Sequence, residues 1–280
     1  MKKQKRLAAI HDISGFGKCS LTVALPIISA CGIETVCLPT AVLSTHTGGF
    51  TGYTYRDLTE DMLPVMEHWR SLELSFDAIY SGFLGSAAQI ELVGRFIDWF
   101  KGENTLAIVD PAMADQGKMY ALFDRDFALK MATLCAKADV VLPNITEAAF
   151  MTNTEYIEGI QTPDYIGGLL DKLENLGAKS TVLTGVSFEP ESLGVACRIN
   201  GETSYCFSER LEGSFHGTGD VFASAFSGAL LNGCSLEKAA EIAVKYVCDC
   251  IRRTKAVNDD VRYGVDFERG IPFLLKELGL

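Results

Sequence analysis

Short apolar runs alternate along this chain with longer stretches in which apolar residues recur every three or four positions. The first pattern predicts β-strands and the second predicts amphipathic α-helices. The predicted strands cover residues 6–10, 34–38, 78–81, 105–109, 139–142 and 180–183, and the predicted helices between them cover residues 21–31, 87–101, 121–137 and 163–176. The alternation predicts βαβ units, and therefore an α/β fold whose mainly parallel sheet is covered by helices on both faces.

The C-terminal part of the chain departs from this alternation. Residues 193–199 and 204–207 flank Asn200-Gly201, a pair typical of tight turns, and so predict a β-hairpin. Helices are predicted at residues 221–231, 236–254 and 267–278. A length of 280 residues would allow two domains of about 150 residues each. Because no linker, repeat or low-complexity tract divides the chain, we predict a single domain over residues 1–280.

The charge balance narrows the class of ligand. Thirty-six acidic residues against 25 basic ones give a formal charge of −11 at pH 7, which repels nucleic-acid phosphates over most of the surface. We therefore expect no nucleic-acid partner. An anionic ligand has to be held by local devices such as backbone amides, a helix N-terminus or a metal ion.

The N-terminus is basic, as in a signal peptide, but its apolar stretch covers only residues 7–10 before His11 and Asp12 interrupt it. No run approaches the roughly 18 apolar residues that a spanning helix needs. The nine cysteines are scattered without a C-x-x-C pair, which favours reduced side chains packed as small apolar residues. We expect a cytoplasmic protein with no membrane association.

Polar residues and glycines follow five of the predicted strands at the point where each strand ends. They are His11-Asp12, Gly82, Asp110-Pro111, Pro143-Asn144 and Thr184-Gly185. In open parallel sheets, ligands bind in the crevice beyond the carboxyl ends of the strands, so this repeated pattern favours a site there. The alternative is ordinary turn chemistry, because Gly, Asp and Asn are common in turns of every kind.

The stretch Gly15-Phe16-Gly17-Lys18-Cys19-Ser20 resembles two nucleotide-binding motifs without satisfying either. A P-loop needs Gly at position 12 and Ser or Thr at position 19, where this chain has Asp12 and Cys19. A dinucleotide fingerprint needs a third glycine at position 20, where Ser20 stands. We therefore predict only a flexible turn, leading into a helix whose N-terminus is available to a ligand.

Gly217-Thr218-Gly219-Asp220 stands directly before the predicted helix 221–231. Two glycines let the backbone curl so that consecutive amides point into one concavity, to which the helix adds its positive end. This predicts an anion hole that needs no lysine. Asp220 at its rim is a candidate general base, which would accept a proton from a substrate hydroxyl as that oxygen attacks phosphorus. The alternative is that Asp220 merely caps the helix.

Two further strand ends supply candidate cation ligands. Asn144 and Glu147 stand three residues apart at a predicted helix start, where Glu147 can hold Mg²⁺ directly or through water. Asp110 is a second candidate ligand. The alternatives are that Glu147 is only a first-turn glutamate favoured by the helix dipole, and that Asp110 is only an ordinary turn aspartate. Added to the anion hole and Asp220, these residues make phosphoryl transfer the leading function.

From about Leu7 to Ala256, the chain resembles the ribokinase-like superfamily and, within it, the pyridoxal (vitamin B6) kinases. The segments that carry the resemblance fall in family order: Ser44-Thr45-His46-Thr47 (S-x-H-T), Ser81-Gly82-Phe83-Leu84-Gly85-Ser86 (S-G-Y-L-G-S), Asp110-Pro111-Ala112-Met113 (D-P-V-M), Asn144 to Glu147 (N-x-x-E), Gly217 to Asp220 (G-T-G-D) and Thr254-Lys255-Ala256. The G-T-G-D and N-x-x-E segments indicate the superfamily, and the first two segments narrow it to B6 kinases.

The resemblance implies a three-layer α/β/α fold and transfer of the ATP γ-phosphate to the 5′-hydroxymethyl group of pyridoxal, pyridoxamine or pyridoxine. It implies the following roles: Asp220 as base; Gly217, Thr218 and Gly219 as anion hole; Asn144, Glu147 and Thr184 along ATP and its Mg²⁺; and Thr47, Gly82 and Phe83 at the vitamin ring. A monovalent cation such as K⁺ and a homodimer are also implied.

Two residues depart from the family pattern and keep other functions open. Asp12 stands where members often have Ser near the pyridine ring, and Phe83 replaces the usual Tyr. Asp12 would pair with a protonated ring nitrogen or with the amine of pyridoxamine. The alternatives are a kinase for hydroxymethylpyrimidine or another hydroxylated ring, a non-catalytic ligand-binding regulator on the same fold, and, more weakly, a sugar kinase.

Overall fold

A computed structural model describes residues 3–257 and 260–280 of the chain. The strands are β1 (Arg6–Phe16), β2 (Glu34–Thr45), β3 (Tyr55–Asp57), β4 (Ala78–Ser81), β5 (Leu106–Val109), β6 (Ala114–Asp115), β7 (Lys118–Met119), β8 (Val140–Val141), β9 (Ser180–Val186), β10 (Ser192–Ile199) and β11 (Glu202–Glu209). The helices are α1 (Leu21–Ala30), α2 (Thr59–Ser71), α3 (Ala87–Phe100), α4 (Arg125–Cys135), α5 (Ile145–Met151), α6 (Pro163–Asn175), α7 (Thr218–Leu231), α8 (Leu236–Val257) and α9 (Ile271–Leu278), with 3₁₀ turns at Val261–Tyr263 and Glu268–Gly270.

Nine strands form one sheet in the order β11-β10-β9-β8-β5-β4-β1-β2-β3, and β6 pairs with β7 in a separate ribbon. The pairings from β2 through β1, β4, β5 and β8 to β9 are parallel. The edge strand β3 and the hairpin β10–β11 are antiparallel. The sheet is therefore mainly parallel, as the sequence predicted, and the predicted hairpin is present.

Helices cover both faces of the sheet, because its strands alternate buried apolar side chains between the two faces. Along β1, Ala8 and Ile10 point to one face, and Leu7 and Ala9 point to the other. Helices α2 to α6 pack on the first face, whereas α1, α7, α8 and α9 pack on the second. This is the predicted three-layer α/β/α arrangement. The prediction of one domain over the whole chain stays a prediction.

The strands β1 and β2 run further than predicted. The apolar run ends at Ile10, but β1 continues to Phe16 through His11, Asp12 and Ser14, which are all buried. These polar residues interrupt the apolar pattern without interrupting the backbone pairing with β2. The predicted flexible turn at 15–20 is correspondingly shorter, because Gly15 and Phe16 belong to the strand.

Several helices also differ from the sequence prediction. Helix α7 begins at Thr218 rather than at position 221, and α8 ends at Val257 rather than at position 254. Helix α4 begins at Arg125 rather than at position 121, because the Asp124 side chain accepts a hydrogen bond from the Phe127 amide and caps it. Helix α9 begins at Ile271, after a 3₁₀ turn that takes up part of the predicted helix 267–278. Helix α2 was not predicted. It contains Pro64 and buries only two methionines, so its apolar period is weak.

The cysteines agree with the sequence prediction. All nine cysteines lie in the described ranges and carry free thiols, most of them buried. Within those same ranges, no helix combines the length and the apolar character that crossing a membrane requires.

The core on the α3 face depends on aromatic packing around Phe96, which is fully buried beside Phe76 and Phe100, with ring centroids 5.7 and 4.5 Å away. We expect Phe96→Ala to lower the free energy of unfolding by about 3–5 kcal/mol, because it removes buried apolar surface and leaves a cavity. Denaturant unfolding measures this loss. Leu129→Ala is the control: its side chain is 47% exposed, so the change should stay within about 0.5 kcal/mol. Equal losses for the two variants would contradict this account of the core.

Candidate active site

A cavity of about 1030 Å³ opens at the carboxyl ends of the parallel strands. The strand ends are joined there: the Asp110 amide donates to the Ser81 carbonyl (2.9 Å), and the Thr184 amide donates to the Pro143 carbonyl (2.9 Å). The sequence-predicted residues that line the cavity are Asp12, Thr47, Phe83, Asp110, Asn144, Glu147, Thr184, Gly217, Thr218, Gly219 and Asp220. Side chains that are far apart in the sequence therefore meet at one edge of the sheet.

Gly82 takes a different position from the one predicted for it. It is buried behind the cavity wall, where a Cβ on this residue would lie 2.3 Å from His11 Nδ1. Its amide donates to the Ile10 carbonyl (3.1 Å). Gly82 thus lets β4 approach the His11 ring, and its neighbour Phe83 lines the cavity instead.

The backbone curl predicted before α7 is present at the start of that helix, and its role as an anion hole stays a prediction. Gly217 is the N-cap of this helix in the left-handed conformation (φ 75°, ψ 0°), and a Cβ there would lie 2.0 Å from the Lys18 carbonyl oxygen. Only glycine satisfies both conditions. The first-turn amides of a helix have no partner within the helix, so those of Thr218, Gly219 and Asp220 are available to an anion.

Asp220 stands in the first turn of α7, three residues after the N-cap. The helix begins on Gly217 with no side-chain cap among the described residues, so Asp220 is not the helix cap that the alternative interpretation supposed. Loss of hydration raises the pKa of the Asp220 carboxyl to about 7; the nearby Asp12 adds to this rise, and a hydrogen bond from the Ser20 amide partly offsets it. A carboxylate with a pKa near neutrality is a competent proton acceptor.

Glu147 and Asn144 form the capping box of α5. The Asn144 side chain accepts from the Glu147 amide (2.9 Å), and Glu147 Oε2 accepts from the Asn144 amide (2.8 Å). The other carboxylate oxygen of Glu147 accepts from the Met113 amide (3.1 Å). Glu147 therefore does stabilise the first turn of α5, as the alternative interpretation supposed. The same carboxylate also faces the cavity, so the two interpretations are compatible.

Asp110 and Glu147 both line the cavity, and the charge of Glu147 acts on Asp110. Burial raises the pKa of the Asp110 carboxyl well above its usual range, with further contributions from the charges of Glu147 and Asp220. Burial likewise raises the pKa of Glu147, although the backbone hydrogen bonds oppose the rise. Two carboxylates that destabilise each other's ionised forms are a fitting pair for a hard divalent cation.

The cavity wall is acidic. Its acidic residues are Asp12, Asp110, Asp115, Glu147, Glu209 and Asp220. Over residues 3–257 and 260–280, neither lysine nor arginine contributes to this wall. In the same part of the chain, no three His, Cys, Asp or Glu side chains cluster closely enough to hold a metal by themselves. The donor set therefore fits a cation that takes two protein carboxylates and completes its shell with water and phosphate oxygens, as Mg²⁺ does.

At the other end of the cavity, Asp12 is 3% exposed and its carboxylate accepts from the Ser14 hydroxyl (2.9 Å). The register of β1 with β2 shifts between His11 and Ile13, which re-aims Asp12 relative to a regular strand. Burial raises the pKa of Asp12, and hydrogen bonds from Ser20 and Ser14 moderate the rise.

Phe83, Thr47 and His46 also line the cavity. The Phe83 ring packs 5.5 Å from the Phe123 ring, and Thr47 is exposed to the cavity. His46 is held in its loop on both sides: Nε2 lies 2.7 Å from the Arg262 carbonyl, and Nδ1 accepts from the Gly48 amide (3.1 Å). The cavity wall therefore combines aromatic surface, a hydroxyl and a buried carboxyl.

Two parts of the site were missed by the sequence reading. One is an apolar wall from α8, formed by Val244, Val247 and Ile251. Their helical spacing was visible, but the same spacing is typical of any core-facing helix. The other is Ser20, which lines the cavity although the motif around it had been set aside.

Gly217 and Gly219 provide a test of the anion-hole backbone. We expect Gly217→Ala to lower the free energy of unfolding by at least about 1–3 kcal/mol, because a side chain would be strained at this φ and would meet the Lys18 carbonyl. Gly219→Ala is the matched control: a Cβ there has no neighbour within 4 Å, and alanine favours a helix. It should be neutral or stabilise by up to about 1 kcal/mol. Denaturant unfolding of both variants gives the comparison, and equal effects would contradict the assigned backbone geometry.

Comparison with known proteins gives consistent matches over most of the chain. The sequence model of the phosphomethylpyrimidine kinase family matches residues 25–264. A Bacteroides thetaiotaomicron protein assigned as a phosphomethylpyrimidine kinase, solved with pyridoxal, is similar with a TM-score of 0.92 and 36% identity, over 97% of this chain and 96% of that one.

Two further relatives are kinases named for different rings, one a pyridine and the other a pyrimidine. Pyridoxal kinase from Lactobacillus plantarum has a TM-score of 0.89 and 31% identity, over 98% of each chain. The hydroxymethylpyrimidine/phosphomethylpyrimidine kinase of Bacillus subtilis is 28% identical over 224 residues, which is 78% of each chain. The relatives therefore include kinases named for a pyridine ring and for a pyrimidine ring.

Proposed function

The chain belongs to the phosphomethylpyrimidine kinase family and is an ATP-dependent small-molecule kinase, and we propose that its acceptor is a B6 vitamer. The reaction is transfer of the ATP γ-phosphate to the 5′-hydroxymethyl group of pyridoxal, pyridoxamine or pyridoxine. The observation that carries the proposal is Asp220 beside the amides of α7, in a cavity that Phe83, Thr47 and Asp12 also line. The similarity to a structure solved with pyridoxal supports the choice of ring.

Asp220 is the general base of the proposed reaction. It accepts the proton of the hydroxymethyl oxygen as that oxygen attacks the γ-phosphorus. Because its pKa is about 7, much of it is ionised at neutral pH, and it still binds a proton well enough to assist the attack. The amides of Thr218 and Gly219, which have no partner within α7, receive the negative charge that develops on the transferred group.

The nucleotide lies, in this proposal, between Thr184 and the apolar wall of α8. Val244, Val247 and Ile251 offer a surface for the adenine ring. Asn144 follows β8 and forms a parallel bridge with Thr184, which lies within β9 because that strand runs past the predicted end at position 183. Asp110 and Glu147 hold Mg²⁺ directly or through water. When bound, this cation supplies the positive charge for the β- and γ-phosphates that the cavity wall itself lacks. The monovalent cation and the homodimer implied by the resemblance stay predictions.

A kinase for hydroxymethylpyrimidine is the second candidate, because the matching family model is named for the phosphorylated pyrimidine and the Bacillus subtilis relative shares that ring class. The chemistry at Asp220 would be the same and only the acceptor would differ. A product assay with Mg-ATP and each of pyridoxal, pyridoxamine, pyridoxine and hydroxymethylpyrimidine decides between them. We expect turnover of the B6 vitamers. Phosphorylation of the pyrimidine alone would replace the first proposal with the second, and ATP binding without any product would favour a regulator.

Asp220→Asn should lower kcat by about 10²–10⁴-fold while ATP still binds, because the amide cannot accept the proton. In the wild-type enzyme, kcat/KM should fall as the pH drops below about 7, where Asp220 becomes protonated. This acid limb should be absent in the variant. Asp126→Asn is the control: it removes the same charge from the first turn of α4, outside the cavity, and should leave the pH profile intact. Near-normal turnover of Asp220→Asn would contradict its role as base.

Asp12→Ser tests which ring form the acceptor site prefers. The buried carboxyl has Ser14 and Ser20 as hydrogen-bond partners, so a cationic acceptor would stabilise its ionised form. We expect the variant to raise KM about tenfold more for pyridoxamine than for pyridoxal, the size of one charge-assisted hydrogen bond. Steady-state kinetics with each vitamer measure this difference. An equal rise in KM for all three vitamers would show that Asp12 does not distinguish cationic from neutral acceptors.

A further inference from the structure

Gln89 is a polar side chain with no exposed surface, although it does not line the cavity. It is the third residue of α3, which Ser86 caps by accepting a hydrogen bond from the Gln89 amide (3.3 Å). A glutamine at this position usually folds back onto the amide of the capping residue. Here the side chain reaches beyond the helix, and both of its polar atoms have partners. A buried polar group that is satisfied in this way specifies one arrangement of the segments that it joins.

The Gln89 side chain joins the loop between β4 and α3 to β2 and to the start of α2. Its Oε1 accepts from the Gly85 amide (2.7 Å), and its Nε2 donates to the Thr40 carbonyl (2.9 Å) and to the Thr59 hydroxyl (3.0 Å). A longer contact runs from Nε2 to the Asp57 carboxylate (3.4 Å). Because a backbone amide can only donate and a carbonyl can only accept, these partners fix the orientation of the side-chain amide.

The loop between β4 and α3 carries Phe83, which lines the cavity. Thr40 is fully buried and donates its hydroxyl to the Phe83 carbonyl (3.2 Å). The hydrogen bond from the Gly85 amide to Gln89 holds the same loop two residues further on. A side chain at Gly85 has no room, since a Cβ there would lie 2.2 Å from the Tyr55 hydroxyl. The backbone that presents Phe83 is therefore held at two points.

The segment of β2 that Gln89 contacts lies opposite Asp12. The register of β1 with β2 shifts between His11 and Ile13, so that residues 40 and 41 of β2 stand against Asp12 alone. This is a β-bulge, a feature that changes the direction of a side chain relative to a regular strand. The Thr40 carbonyl at this bulge accepts from Gln89 Nε2. One buried side chain thus connects the loop after β4 to the bulge at Asp12.

We propose that Gln89 is a positioning residue that fixes Phe83 and Asp12 relative to each other and so holds the acceptor ring in place for phosphoryl transfer. This role rests on the proposed function, because it takes Phe83 and Asp12 as acceptor contacts. Gln89 itself contacts neither substrate, and its effect reaches the acceptor through Gly85 and Thr40. Loss of its hydrogen bonds should therefore weaken binding of the acceptor and leave binding of ATP unchanged.

Gln89→Met keeps the length of the side chain and removes its hydrogen bonds. We expect the KM for pyridoxal to rise about tenfold and kcat to fall about 3–10-fold, since the loss of a buried hydrogen bond and a small misplacement of a reactant have effects of that size. The KM for ATP should stay within about twofold, because sites without shared contacts respond independently. Tm should fall by roughly 5 °C. Steady-state kinetics with each substrate varied in turn, well below either Tm, give these values.

Gln161→Met is the matched control. Gln161 is also buried (5% exposed) and also joins backbone segments: its Oε1 accepts from the Ser187 amide (3.0 Å), and its Nε2 donates to the carbonyls of Gly159 (2.6 Å) and Ile157 (3.3 Å). These partners belong neither to β2 nor to the loop between β4 and α3. The control should lose a similar amount of Tm, while the KM for pyridoxal stays within about twofold.

Thr40→Val and Thr40→Ser test the contact with Phe83 while Gln89 is intact. Valine keeps the shape of the side chain and removes the hydroxyl, whereas serine keeps the hydroxyl and removes the methyl group. We expect the KM for pyridoxal to rise about 3–10-fold in Thr40→Val through the unpaired Phe83 carbonyl. It should stay close to the wild-type value in Thr40→Ser, although the missing methyl group lowers stability.

The outcomes separate the positioning role from the proposed function. If wild-type protein phosphorylates none of the four acceptors, both fail; if it phosphorylates only hydroxymethylpyrimidine, the variants are compared with that acceptor. If wild-type protein is active and Gln89→Met loses Tm with an unchanged acceptor KM, or raises the KM of the acceptor and of ATP alike, the positioning role alone is overturned. It is also overturned if Gln161→Met raises the acceptor KM equally. Should Gln89→Met fail to fold, equal acceptor KM values for Thr40→Val and Thr40→Ser would overturn it.

Discussion

Negative charge held out of water governs this site, and among the described residues no lysine or arginine lines the cavity to offset it. Asp12, Asp110, Glu147 and Asp220 line one cavity, and burial raises the pKa of each. Each ionised form is costly in this surrounding, so the carboxyls depend on backbone amides, serine hydroxyls and bound cations. The same constraint explains how an acidic protein can bind a polyphosphate: the cation and the helix amides bring the positive charge, and the cavity wall does not have to.

The architecture could be predicted because a parallel sheet covered on both faces requires short apolar strands separated by helices. Each strand and each helix meets that requirement with its own neighbouring residues, so the pattern is visible in the sequence. The prediction of strand ends failed where a strand contains buried polar residues. His11, Asp12 and Ser14 are buried polar residues in β1, so the strand appeared to end at Ile10. Helix α2 was missed because much of its surface is exposed and the apolar period is faint.

Many residues of the site could also be predicted, because the parallel arrangement of the strands determines which residues come together. Strand-end residues converge because parallel strands end on one edge, so Asp110, Asn144 and Thr184 could be placed together without coordinates. Gly82 was assigned to the ring, yet it serves the packing of His11. Ser20 could not be found, because the loop before α1 is held by a contact with a distant part of the chain: the Lys18 amide donates to the Tyr263 carbonyl (3.0 Å). A conformation set by distant parts of the chain leaves no pattern in neighbouring residues.

The capping box of α5 has a consequence for how folding and ligand binding are linked. Glu147 begins a helix of seven residues and also faces the proposed cation position. A ligand that binds only the folded form stabilises it by mass action, by about 2.7 kcal/mol at a concentration a hundred times its Kd. Because Glu147 belongs to the helix start and, in the proposed function, also to the shell of the bound cation, Mg-nucleotide should protect this segment of the chain most directly. The abundance of the enzyme in a cell would then follow the supply of its own phosphate donor, through slower local opening and slower proteolysis.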